Sequence, residues 1–149
     1  MNSKEYQNLC KEICLNDNSA FEFLINLSKI FRFADDLFDG EYEFFSEEFD
    51  SLMTTLLFEF SRNEFYKKNR DALEAHIFIS WNAWQASNHF SKNGNRFEKI
   101  YAWFLRDYCF EIEHLVAWLV GGYKHAKTMN LKIRSLAIRQ LLENGDFQF

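Results

Sequence analysis

Apolar positions recur along this chain with helical spacing, and no stretch keeps the strict alternation of a half-buried strand. Tyr6, Leu9 and Ile13 share a face and predict a first helix over Lys4–Cys14, with Ser3 as its N-cap. Asn16-Asp-Asn-Ser19 reads as a turn, and a second helix follows from about Ala20 to Asp39 with the stripe Phe23, Leu27, Ile30, Ala34 and Phe38. Phe21, Leu24, Phe31 and Phe33 widen that stripe until the helix is apolar around most of its circumference, as expected of a central element. Gly40 stands where a left-handed cap would end it.

Ser46-Glu-Glu opens a third helix, with a cap followed by acids in the first turn, and Phe49, Met53, Leu56, Leu57 and Phe60 mark its face. After a short piece over Asn63–Asn69, a fourth helix is predicted from Arg70 to Lys92, closed by Asn93-Gly94. Leu73, Ile77, Ser80, Trp81, Trp84 and Ser87 form its apolar side, and His76, Asn82, Gln85 and His89 a polar one. The pattern carries a fifth helix from Arg96 to Val120, stopped at Gly121-Gly122, and a sixth from Met129 to Glu143 with Leu131, Ile133, Leu136, Ile138 and Leu141 or Leu142 inward. Asn144-Gly145 ends it, and the tail 146–149 carries two phenylalanines suited to docking. The expected architecture is an all-α, single-domain bundle of about six helices over residues 1–149.

Composition fits that picture. Proline is absent and only five glycines interrupt 149 residues, so little breaks a helix. At 48% hydrophobic and 26% charged, the chain belongs with folded rather than disordered sequences. Eighteen phenylalanines predict an aromatic core, with the four tryptophans read as part of it. Cys10, Cys14 and Cys109 form no CxxC pair and are odd in number, which points to free packing thiols and a reducing, cytoplasmic setting. The N-terminus has no apolar signal core, and no uncharged apolar run reaches the roughly 18 residues of a membrane span.

The net charge of −5 divides unevenly: residues 1–60 carry −9 and residues 61–149 carry +4. A bipolar chain suits self-association, or pairing of its own halves, better than nucleic-acid binding, which needs a basic face.

The sharpest chemical signal is Phe31-Arg-Phe-Ala-Asp-Asp-Leu-Phe-Asp-Gly40. Asp35 and Asp39 stack on one helical face, and Asp36 lies about 100° round the cylinder. Like charges crowded into the last turn, at the negative end of the helix dipole, call for a compensating cation. A hard divalent ion, Mg²⁺ or Mn²⁺, takes such carboxylates and completes its shell with water or phosphate. On the predicted fifth helix, Asp107 and Glu111 stand at i and i+4. Glu111 and His114 have the Glu-x-x-His spacing of di-iron bundles, in a single copy where two are required. His89, with Asn82 and Gln85, would line a wet pocket or an exposed edge. The basic run Lys124, His125, Lys127, Lys132, Arg134 and Arg139 would neutralise the acidic half or hold a phosphate.

The ten-residue Asp string resembles the first aspartate-rich motif of squalene and phytoene synthases, all-α enzymes of the trans-isoprenoid class. The resemblance implies that Asp35, Asp36 and Asp39 hold Mg²⁺ ions that bind a diphosphate, with Asp107 and Glu111 standing for the second acidic motif. A second resemblance spans most of the chain. The Asp-Asp-x-x-Asp-Gly helix end, Asn63–Tyr66, the Trp-rich helix and Leu105–Asp107 before Gly121-Gly122 are similar in order to small uncharacterised proteins of tailed bacteriophages. No nucleophile elbow, P-loop or dinucleotide fingerprint is present. The leading expectation is an accessory protein of phage or mobile-element type that binds itself or a host protein, with a divalent cation as an adjunct. The alternative is a Mg²⁺-dependent enzyme acting on a diphosphate, with Asp35, Asp36 and Asp39 as metal ligands, Asp107 and Glu111 as second ligands, and Arg32 or Lys124 on phosphate.

Overall fold

The computed structural model describes residues 3–40 and 47–143, excepting the side chains of residues 3, 39, 47, 48 and 140–143. The expectations placed on Ser3 as a cap, on Ser46, on Asn144-Gly145 and on the phenylalanine tail, together with the Asp39 carboxylate, lie outside the described residues. Among the described residues there is no strand, and the helices form one all-α bundle.

Helix α1 (Ser3–Cys14) buries Tyr6, Leu9, Cys10, Ile13 and Cys14, one stripe at helical spacing. Of the thiols expected to pack, Cys10 and Cys14 are buried and Cys109 is half-buried. Leu15 and Asn16 both adopt positive φ, and Asp17 then caps α2 (Asn18–Asp39) by accepting from the Ala20 amide at 3.0 Å. Gly40 ends α2 as expected, at φ 76°, its N–H reaching the carbonyls of Asp36 and Leu37. Only the first half of α2 reaches the core, through Ala20, Phe23, Leu24 and Leu27; Phe38 is already exposed.

The third helix does not present the expected face. Helix α3 (Glu47–Thr54) passes into a π-helical turn, Thr55–Glu59, before α4 (Phe60–Arg62). The wider turn turns Thr55 inward beside Leu52 and leaves Leu56 and Leu57 exposed. Asn63 then fastens α5 (Glu64–Lys68) to the start of α2. Its side chain caps Tyr66, donates to the Ser19 carbonyl and accepts from the Ser19 hydroxyl, which in turn accepts from Phe65. The clasp closes an aromatic cluster of Phe23, Phe60, Phe65 and Tyr66.

Helices α6 (Arg70–Asn93) and α7 (Arg96–Arg106) form an antiparallel hairpin. Along the hairpin α6 buries Ser80, Trp84, Ser87 and Asn88, α7 buries Ala102, and Arg106 donates to Asn88. A capping box of Asn95 and Glu98 starts α7. The expected fifth helix is broken where no glycine or proline announces it. A 3₁₀ turn over Asp107–Phe110 tightens the chain, Ser80 donates to the Tyr108 carbonyl at 3.4 Å, and α8 (Glu111–Glu143) sets off in a new direction. The new direction is what buries Ile112, Glu113, Val116 and Ala117.

Nor does Gly121-Gly122 end the helix. Gly122 takes φ 71°, ψ −173°, a glycine-only conformation, and the helix resumes at once instead of waiting for Met129. A side chain at Gly121 would collide with the ring of His125, whose Nε2 meets the Ile13 carbonyl at 2.8 Å near the end of α1. Beyond the kink, Met129, Ile133, Leu136 and Ala137 pack inward, whereas Leu131 and Ile138, expected inside, are exposed. Two of the four tryptophans read as core, Trp81 and Trp118, are also exposed. The bipolar charge is partly resolved within the molecule: Lys132 pairs with Glu12, and Arg139 with Glu5 at 2.7 Å. These pairs are exposed and contribute at most about 1 kcal/mol each. No helix among the described residues is long and apolar enough to cross a membrane.

Candidate functional site

Beyond Leu27 the last turns of α2 are joined to α6 through large rings. Phe31 lies against Trp81, Phe38 meets Trp84 edge-on at 5.7 Å, and Trp81 stacks on Trp84. Between α1, α2 and the start of α8 this leaves a cavity of about 550 Å³, within the range of small-molecule sites. Its apolar walls are Leu24, Leu27, Phe31, Trp84, Phe110 and Ile112; its polar groups are Tyr6, Ser28, Arg32, Asp35, Asp36, Arg106 and Glu113, with the Cys109 thiol.

Three of the sequence candidates meet here. Asp35 lines the cavity and accepts from the Trp84 indole at 3.3 Å, and Asp36 and Arg32 lie on the same wall. Arg32 is exposed. The other candidates are elsewhere. Glu111 binds Arg134 in a two-pronged pair at 2.6 and 3.2 Å and lies 3.3 Å from His114 Nδ1. The His114 ring and the guanidinium hold its carboxyl down at about 2. The same pairing raises His114, whose Nε2 contacts Asn130 Oδ1. The Glu-x-x-His spacing therefore makes a salt-bridge cluster with Arg134. Asp107 sits in the 3₁₀ turn, where burial pushes its carboxyl up to about 6. His89 is exposed, edge-on to Phe90, and Lys124 is exposed on α8. Among the described residues no three His, Cys, Asp or Glu side chains converge as a metal ion requires.

Glu113, which stands in the acidic run with Glu111 and His114 and to which the sequence assigns no role, lies at the cavity. Its side chain is 5% exposed. Tyr6 donates to Oε1 at 2.8 Å, and Oε2 is buried with no partner. Burial pushes its carboxyl up to about 7, against the lowering effect of the Tyr6 hydrogen bond. Cys109 is likewise pushed up to about 12 by burial, so it is a neutral thiol and a poor nucleophile. Arg106 shows the complementary defect: Nη2 donates to Asn88 Oδ1 at 3.1 Å, while Nε is buried and unsatisfied. The available signal for Glu113 was a lone acid between Ile112 and Val116, on the apolar face of its own helix.

A second surface stands out on the opposite side of the hairpin seam. On α7 and the turn after it, Phe97, Ile100, Tyr101, Phe104 and Tyr108 are all exposed, Phe97 by 80% and Phe104 by 67%. Their spacing is that of one helical face, so α7 carries its apolar stripe outward. Contiguous exposed apolar surface of this kind marks interaction sites. No family model matches the chain, and no curated protein or solved structure was found to match it.

Proposed function

We propose that the protein acts by binding, as an accessory protein of phage or mobile-element type, and that its binding surface is the outer face of α7 in contact with a second copy of the chain. The observation that carries this is the order of bulk along the stripe. Phe97 and Tyr108, and Tyr101 and Phe104, are placed symmetrically about one point between Ala102 and Trp103. Two copies packed antiparallel about a two-fold axis there would set Phe97 against the partner's Tyr108 and Tyr101 against the partner's Phe104. Such an isologous contact needs no second kind of surface. Large aromatic side chains also carry most of the energy at protein interfaces. The likeness of the motif order to phage proteins supports the biological setting of this reading.

Sedimentation equilibrium tests it. Wild type is expected as a dimer at micromolar concentration, and Phe97→Ser/Phe104→Ser as a folded monomer. A wild-type monomer, or a double variant that dimerises unchanged, overturns the reading.

A further inference from the structure

Helix α7 carries charges at both ends, and two of them stand against the helix dipole. The N-terminal end of a helix favours acids and the C-terminal end favours bases. Glu98 in the first turn and Arg106 in the last obey that rule, and both are engaged within the chain, Glu98 in the capping box and Arg106 on Asn88 at 3.1 Å. Arg96, the first residue of the helix, and Asp107, its C-cap, break the rule. Among the described residues neither side chain takes part in an ion pair or a hydrogen bond. Arg96 is exposed. Asp107 is half-buried, but its carboxylate oxygens are not among the enclosed atoms left without a partner, so they open on solvent. Burial with no cation beside it pushes that carboxyl up to about 6.

Eleven residues separate the two, which is three helical turns and about 20°. Arg96 and Asp107 therefore share one flank of the apolar stripe, next to Ile100, while Tyr101 and Tyr108 hold the other flank. We infer that these two charges set the antiparallel direction of the α7 contact, with Arg96 of each copy pairing with the partner's Asp107; the inference rests on the dimer reading above. A two-fold axis between Ala102 and Trp103 that reverses the helix brings like flanks together. It leaves Arg96 two residues, or about 3 Å along the axis, from the level of the partner's Asp107. An arginine side chain spans that gap. Symmetry forms the pair twice. Each charge also gains a favourable dipole: Arg96 comes beside the C-terminus of the partner's α7, and Asp107 beside its N-terminus. A parallel contact would set Arg96 against Arg96 and Asp107 against Asp107. The charges thus select the direction, and the aromatic stripe supplies the adhesion.

Two charge reversals and their mixture test the pairing, read by native mass spectrometry across a concentration series. Arg96→Glu alone sets acid against acid at both pairs, and Asp107→Arg alone sets base against base. Each substitution places the charge that the helix's own dipole prefers, so neither is expected to weaken the fold, and circular dichroism verifies this. Each variant by itself is expected to dimerise at least about tenfold more weakly than wild type. Mixed, the two variants are complementary at both pairs, and a heterodimer with one chain of each is expected within about threefold of the wild-type affinity. Asp107→Asn keeps the size of the side chain, removes its charge and is expected to weaken the dimer by about threefold. Single variants that dimerise as tightly as wild type, a mixture that forms no heterodimer in excess of the separate homodimers, or an Asp107→Asn dimer of unchanged affinity overturns the inference and leaves the dimer reading standing. A wild-type monomer overturns both.

Discussion

Helices α1 and α7 are nearly equal in length and carry the same kind of stripe. In α1 the apolar residues fall at Tyr6, Leu9, Cys10 and Ile13, and all are buried. In α7 and the turn beyond, they fall at Phe97, Ile100, Tyr101, Phe104 and Tyr108, and all are exposed. What separates the two is the surface opposite. Helix α1 lies against the long α8 and takes its interior from there. Helix α7 packs chiefly on α6, where Ala102 is buried and Arg106 donates to Asn88, and its large aromatic side chains are left on the outside. An amphipathic pattern states that a face will be covered; it does not state which molecule provides the cover.

The largest test of this contrast is truncation at matched positions. Ile13→Ala, at a fully buried site of α1, should lower stability by about 2–5 kcal/mol in chemical denaturation. Phe104→Ala should lower the stability of the monomer by no more than about 0.5 kcal/mol while weakening any dimer. An equal loss at both positions would mean that α7 is covered by its own chain.

Next in size is the polar link on the stripe of α1. Glu113 ionises at about 7 in the folded chain and near 4.5 when unfolded, so the folded state holds its proton more tightly. Its contribution is fully present below pH 4.5 and is lost as pH rises through 7, by up to about 3 kcal/mol. Glu113→Gln should flatten that slope and unfold later than wild type at pH 8. His114, raised by Glu111, also loses its contribution as pH rises through its folded pKa, and that part persists in the variant. A stability profile identical to wild type between pH 4.5 and 7 would show that Glu113 is solvated.

A smaller effect is expected at the start of α7. With so much of its apolar surface facing outward, α7 draws more of its order from local devices, chiefly the Asn95–Glu98 box. Asn95→Ala should cost about 1 kcal/mol and raise amide exchange over α7 more than over α1.

The helices were legible in the sequence because hydrophobic period and caps coincide: Asp17, Gly40, Asn63 and Asn95 all sit at element boundaries. The breaks were not. The 3₁₀ turn at Asp107 follows from packing against Ser80, and the π turn at Thr55 has no residue signature. The Asp cluster drew attention through its charge, and two of its members do reach the cavity. Glu113 was hidden because an acid within an apolar stripe is identified only by what surrounds it. Glu111, two residues away and of the same residue type, faces Arg134 and behaves oppositely. Distinguishing two such neighbours requires knowing which way the helix is rotated, and the unannounced turn before α8 set that rotation.

Gly122 separates two tasks along one helix. The segment before it carries the cavity wall, and the segment after it grips α1 through His125, Met129 and Ile133. One residue inserted at this joint would turn the distal segment by about 100° about its axis. The α8 side of the wall would stay in place while the grip lost its register, and α1 would carry Tyr6 away from the cavity.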